Sequence, residues 1–334
     1  MIPANAHAPK PRDWQRQWRE AIRDPAELLA LLDLGHLAGR LAGPAARTFP
    51  LRVPRHFAAR MRPGDADDPL LRQVLPLDAE DRVVPGFGLD AVGDLDSAAA
   101  PGLLHKYDGR ALLVATGSCA VHCRYCFRRH FPYGEQSAAA NDWAGVLDHL
   151  AADAGIREVL LSGGDPLSLA TGKLRRFTGP LAGIGHVARL RLHTRLPVVL
   201  PDRVDDELLD WLAGLPQQVV VVVHANHPAE IDADVGAALR RLRATGAMLF
   251  NQAVLLRGVN DDAEVLAGLS ERLFAHGVVP YYLHQLDRVA GVAHFEVDDA
   301  RARAIADALR DRLPGYLVPR LVRETPGAPA KLPL

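Results

Sequence analysis

The chain has 334 residues, of which 49% are hydrophobic and 24% charged, with a formal net charge of -1. That is an ordinary globular composition at a length one α/β barrel can occupy, and the near-zero charge makes a polyanion such as nucleic acid a poor partner. The opening MIPANAHAPKPRDW lacks the apolar core of a secretory leader, and runs such as VVVVV at 219–223 are too short for a bilayer; a cytoplasmic protein with no membrane attachment is expected.

Taken in chain order, Asp13 is placed to cap a helix carrying Trp14, Trp18 and Ile22, and Pro25 to open a second helix through PAELLALLDLGHLAGRLAG. Residues 62–102, rich in Pro, Asp and Gly, read as an extended arm. From about residue 110 short β-branched runs alternate with amphipathic stretches such as WAGVLDHLAAD and ADVGAALRRLRATG. Strands are predicted over 111–116, 158–162, 189–194, 218–224, 248–255 and 278–284, with a further strand-like run at 316–324. Strand–helix alternation implies a parallel sheet with right-handed crossovers: an α/β fold, a partial (β/α)6 TIM-like barrel open on one side. The expected division is an N-terminal helical and extended segment (1–104), the barrel (105–315), and a C-terminal strand and tail (316–334). Asp165, Thr194, His224, Gln252 and His284 fall at strand C-termini, the rim where such barrels build their sites.

The three cysteines, Cys119, Cys123 and Cys126, fall within eight residues, in GSCAVHCRYCFRRHF directly after the first barrel strand. Three thiolates on one loop can grip three irons of a 4Fe-4S cubane and leave the fourth iron open to a ligand. A zinc site completed by His122 or His130, or three inert buried thiols, are the other readings. After the second strand comes SGGDPL, at residues 162–167; Gly163 and Gly164 would let a ligand approach the backbone, though by itself such a segment is only a turn.

The Cys-x3-Cys-x2-Cys spacing and the following Gly-Gly-acid-Pro turn resemble the radical S-adenosylmethionine superfamily. That resemblance implies that the open iron binds the methionine end of S-adenosylmethionine, with Gly163, Gly164 and Asp165 against the same cofactor. CRYCFRRHF, LLSGGDPL, HANHPAEI, NQAVLLRGVND and YYLHQLDRVAGVAHF are further similar to the lysine 2,3-aminomutases. FPLRVPRHFAARM and DDPLLRQVLP resemble the short branch of that family, which supplies (R)-β-lysine to a ligase that attaches it to elongation factor P.

The resemblance implies a second cofactor, pyridoxal 5′-phosphate, carried on Lys331 in PGAPAKLP, with Arg110 and Lys106 as candidates for its phosphate. It implies that Arg128 binds the carboxylate of L-lysine, that Asp287 and Glu324 hold its ε-ammonium, and that His224 and Gln252 touch S-adenosylmethionine. Glu324 departs from the aspartate of the longer enzymes. On residue type alone, Lys331 reads as a solvated tail, Arg110, Lys106, Asp287 and Glu324 as surface charge, and His224 as a rim histidine. The implied reaction is a radical one, fed by an external electron donor: a 5′-deoxyadenosyl radical takes hydrogen from C3 of lysine while the nitrogen migrates from C2 to C3. A free-standing lysine or glutamate aminomutase, a radical enzyme that has lost pyridoxal phosphate, and a zinc-stabilised binding protein are the alternatives. Longer aminomutases continue past the pyridoxal lysine into a segment used in metal binding and assembly; this chain stops at Leu334, so those properties are not carried over.

Overall fold

The computed structural model describes residues 13–141 and 143–334; the leader reading made on the first residues lies outside them. Among the described residues no helix is long and apolar enough to cross a membrane.

Helix α1 (Trp14–Arg19) opens on Asp13, whose carboxylate accepts from Gln15 and Arg16 N–H. It ends before Ile22, which the sequence had placed on it. Ile22 is instead fully buried and pairs its backbone with Val53 in both directions, at 2.8 and 2.9 Å. Helix α2 (Pro25–Leu31) is also shorter than expected. Asp33 takes φ 56°, a left-handed conformation that Asp tolerates better than bulkier residues, and Leu34 turns into the core before a 3-10 turn at Gly35–Arg40. The stretch 62–102 is not uniformly extended: Pro69–Arg72 forms a helical turn capped by Asp68, and Asp78–Asp81 a 3-10 turn.

A hairpin follows, β1 (Ala98–Ala100) and β2 (Leu103–Tyr107), antiparallel to each other and to β3 (Arg110–Thr116). Six strand–helix units then run in order: β3 with α3 (Ala144–Ala152), β4 (Glu158–Gly163) with α4 (Thr171–Leu181), β5 (Arg189–Thr194) with α5 (Asp206–Ala213), β6 (Gln218–Val223) with α6 (Ala233–Ala244), β7 (Met248–Val254) with α7 (Ala263–Ala275), and β8 (Val279–His284) with α8 (Asp299–Arg312). Every neighbouring pair from β3 to β8 is parallel, and β9 (Arg320–Arg323) extends the sheet in parallel beside β8. β10 (Leu332–Pro333) closes the order antiparallel to β9, and the edges β1 and β10 do not pair with each other. This is the open, partial (β/α)6 barrel expected from the alternation.

The barrel packs by period. On β3, Ala111, Leu113 and Ala115 are wholly buried against the helical layer, while Leu112 faces the interior cavity. β6 is buried along five consecutive valines, as a strand covered on both faces must be. Helix α4 buries Leu174, Phe177, Thr178 and Leu181, one stripe at helical spacing. Helices α5 to α8 each begin on an aspartate (Asp205, Asp232, Asp262, Asp298) whose side chain accepts a first-turn N–H, worth about 1 kcal/mol apiece.

The N-terminal segment braces the loop after β3. His122 N–H donates to Arg52 O at 3.0 Å, and Arg124 N–H to Gln73 O at 2.8 Å. Arg124 is fully buried; its Nε and Nη2 donate to the two carboxylate oxygens of Glu80 at 2.7 and 2.5 Å, and Nη1 donates to Phe49 O. Arg129 shares the same Glu80 carboxylate at 2.7 Å. Glu80→Gln leaves two buried guanidinium groups without a counter-charge, so the unfolding free energy should drop by roughly 3–5 kcal/mol. Urea unfolding reads this directly, and a loss below about 1 kcal/mol would contradict the central role of this carboxylate.

Candidate active site

The C-terminal ends of the strands converge on two cavities of about 170 and 160 Å³ that share Phe127, Arg128, Ser162, His193, His224, Gln252, Glu324 and Lys331 as walls. The first is lined by the cysteine loop, Gly163, Gly164, Asp165 and Asp287; the second by Lys106, Arg110, Arg191, Tyr281 and Tyr282. Every residue singled out from the sequence for a cofactor or substrate role lines one or the other.

The cysteines are free thiols. Burial pushes Cys126 up to about 11 and Cys119 well above its usual range, so both need a bound cation to become thiolates. His122 Nδ1 donates to Pro50 O (2.8 Å), His130 Nε2 donates to Ala290 O (3.1 Å), and neither ring lines the cavities that the cysteine loop and its neighbours enclose. The donor set therefore fits a cluster, where three sulfurs are spread over three metal atoms, better than one ion.

The Gly-Gly turn is a close backbone approach. Gly163 has φ 111°, and a Cβ on Gly164 would stand 2.5 Å from Ser118 O and 2.8 Å from Gly117 C. Asp165 does not offer its carboxylate to the cavity: it accepts from Thr194 Oγ1 (2.7 Å) and from the backbone N–H of Leu167, Arg195 and Leu196. Burial still raises it to about 6. Asp165 thus pins the loop after β5 to the turn, and what the turn presents inward is backbone. Beside it, His224 Nε2 and Gln252 Oε1 are buried with no protein partner, and burial lowers His224 to about 3, keeping it neutral. Orphaned polar atoms facing a cavity are the expected mark of a polar ligand's place.

At one end Arg128 donates Nε to Asp94 Oδ2 (2.6 Å) and Nη1 to Ser162 Oγ (3.1 Å), with its plane over Phe127. Lys106 is tied to the other oxygen of Asp94 at 2.7 Å and lies 3.4 Å from Glu324. Arg110 lies over Tyr107 with Nε unpartnered, and Arg191 reaches Glu158 through Nη2 (3.0 Å) with its own Nε unpartnered.

At the other end the tail folds back. Ala328 N–H closes a turn on Thr325 O, β10 pairs Leu332 with Arg323, and Lys331 is drawn into the cavity. Its Nζ stands 3.0 Å from Glu324 Oε2 and 3.1 Å from His284 Nε2, over the Tyr282 ring. Burial and Lys331 lower His284 well below its usual range, so it presents a neutral acceptor. Burial and repulsion from Glu324 raise Asp287 to about 7. Glu324 itself is held below its usual range: desolvation works against it, but Lys331 and Lys106 together outweigh that.

Sequence reasoning missed Asp94, Arg191 and Arg195. Arg191 was within reach, since RLRLHT alternates and puts Arg191 on the same face as His193. Asp94 sits in an irregular segment with no pattern to mark it.

Residues 113–267 match the model of the radical SAM superfamily. Over 98% of this chain and 96% of the other, the sequence is 47% identical to an L-lysine 2,3-aminomutase of Escherichia coli K12. It is 44% identical to an L-lysine 2,3-aminomutase of Haemophilus influenzae, over 99% and 98%. A third relative, the L-lysine 2,3-aminomutase of Clostridium subterminale, is 32% identical over 96% of this chain and 77% of the other. With the cysteine loop at the mouth of an open (β/α)6 barrel and similarity that runs nearly end to end, the chain belongs to the radical SAM enzymes and, among them, to the L-lysine 2,3-aminomutase family.

Proposed function

We propose that the protein moves the α-amino group of L-lysine to C3, giving (R)-β-lysine, with a 4Fe-4S cluster, S-adenosylmethionine and pyridoxal phosphate. The observation that carries this reading is the pair of adjoining cavities, which have three thiols on one wall, an arginine fork, and two carboxylates with a lysine amine. Cys119, Cys123 and Cys126 hold the cluster; the Gly163–Gly164 backbone, His224 and Gln252 meet S-adenosylmethionine. Lys331 would carry the pyridoxal group, with Arg110 and Arg191 on the same cavity wall to meet its phosphate; Lys106, expected in that role, is instead tied to Asp94 and Glu324. When bound, these groups supply a hydrogen-abstracting carbon radical and an electron-delocalising partner for the migrating nitrogen.

The chain's own residues position and shield. Arg128 takes the substrate carboxylate in exchange for Asp94, since a planar fork matches a carboxylate. Asp287 and Glu324 receive the ε-ammonium; the Lys331 amine against Glu324 is the same kind of pair. Fixing both ends of lysine decides which hydrogen faces the radical. Leu104, Leu112, Leu160 and Tyr281 line the cavity and keep water from the radical. A glutamate substrate would bring a second carboxylate against Asp287 and Glu324, which favours lysine.

The N-terminal phrases that resemble the short branch support elongation factor P as the destination of the β-lysine, through a separate ligase. Mass analysis of elongation factor P from cells lacking this protein tests that step: the modified lysine should lose its β-lysyl group. The activity itself is tested by anaerobic incubation with L-lysine, dithionite and S-adenosylmethionine. β-Lysine and 5′-deoxyadenosine should both appear; their absence from cluster-loaded protein would end this reading.

Three variants follow. Lys331→Ala should abolish the visible absorbance of bound pyridoxal and the turnover, while iron content stays at the wild-type level. Gly164→Ala should weaken S-adenosylmethionine binding and lower the iron content, because the collision is with the Gly117–Ser118 backbone that leads into Cys119 and cannot swing away. Asp287 sets a pH dependence. Its carboxyl is raised to about 7, and only the ionised form attracts an ammonium. The KM for lysine should therefore fall by about tenfold per unit as pH rises toward 7, then level off. In Asp287→Asn that slope should vanish, and a wild-type slope in this variant would assign the titration to another group.

A further inference from the structure

Arg195 follows β5 and belongs to none of the groups assigned above. Its side chain is 6% exposed, and its Nη1 donates to Cys123 Sγ at 2.7 Å. The neighbouring Tyr125 hydroxyl accepts from Asn226 Nδ2 at 2.7 Å. The guanidinium is held at both terminal nitrogens, with Nε left without a hydrogen-bond partner: Nη2 donates to Gln73 Oε1 (2.7 Å) and Glu230 Oε2 (2.9 Å), and the rings of Phe57 and Tyr125 lie 5.4 and 5.6 Å from its centre. Its backbone N–H is held by Asp165 at 2.7 Å. Glu230 is wholly buried, and its other oxygen accepts from Asn226 and His227 N–H and from Gln73 Nε2. The arginine is therefore a permanent positive charge aimed at one sulfur, with a single compensating carboxylate behind it.

We infer that Arg195 and Glu230 set the reduction potential of the cluster, Arg195 raising it and Glu230 restraining the rise. This rests on the reading of Cys123 as a cluster ligand. Reduction adds one electron, from a one-electron donor such as dithionite, to a cluster already carrying negative thiolates. A fixed cation hydrogen-bonded to a ligand sulfur stabilises the reduced, more negative state more than the oxidised one, and the potential of such clusters responds to net charge and to hydrogen bonds at sulfur. The low-dielectric surroundings of Phe57 and Tyr125 keep that interaction from being screened. Arg195 is a positioning residue in this account, acting through Cys123.

The test is a redox titration of the cluster-loaded holoenzyme followed by electron paramagnetic resonance. Arg195→Gln should lower the midpoint by about 59 mV or more, a tenfold weaker one-electron reduction. Arg195→Lys, which keeps the charge and loses the fork, should recover part of that shift. Glu230→Gln should move the midpoint the opposite way. A purely structural ion pair predicts lowered stability for all three and no pair of opposite shifts. Unchanged midpoints with full clusters overturn the inference, and if Arg195→Gln holds no iron, an unshifted Glu230→Gln overturns it equally. A wild-type protein that gives no reduced-cluster signal refutes the cluster reading instead.

Discussion

The carboxylate of Glu80 is the constraint on which the rest of the site depends. It lies in a buried pocket between Arg124 and Arg129, the two arginines that flank the last cysteine turn. Charges this deep are tolerable only in pairs, so the N-terminal segment and the cysteine loop have to fold against each other or not at all. Three thiols that must face one cavity cannot be left on a free loop. Residues 49–80 are accordingly the brace of the cysteine loop, although they contribute no strand to the parallel sheet.

A second organising feature is the alternation of charge along the shared wall of the two cavities. Arg128, Asp94, Lys106, Glu324 and Lys331 form a chain in which each cation meets an anion. Asp287 stands outside this chain; burial and the Glu324 charge raise its protonation range, and Lys331 and Lys106 offset them only in part. The arrangement keeps most charges paired and leaves one acid under-compensated, at the end proposed to receive an ammonium.

Much of this architecture was legible because the barrel speaks in short range. RLRLHT alternates and the valine run of β6 is unbroken, so those strands fall within a residue of their expected limits. The β1–β2 hairpin was not read, although Pro101-Gly102 and Asp108-Gly109 punctuate it and both glycines take positive φ. Helix α2 was overextended because its apolar spacing continues past Asp33, where the chain reverses; periodicity does not report a single left-handed residue. The cysteine loop and the Gly-Gly turn are local and could be found by spacing. Asp94 meets Arg128 across 34 residues and Arg195 meets Cys123 across 72, and nothing in the linear order links them.

Asp94 also bears on molecular discrimination. Since it already satisfies Arg128, an incoming carboxylate makes a substitution, with the net gain set by the difference between two similar ion pairs. A diamine of lysine's length without the carboxylate has nothing to trade: displacing Asp94 would strand the arginine, and leaving it in place would leave that end of the guest unanchored. If Arg128 receives the substrate carboxylate as proposed, the internal aspartate is the group that carboxylate replaces, and the exchange favours an amino acid over a simple polyamine without any steric gate.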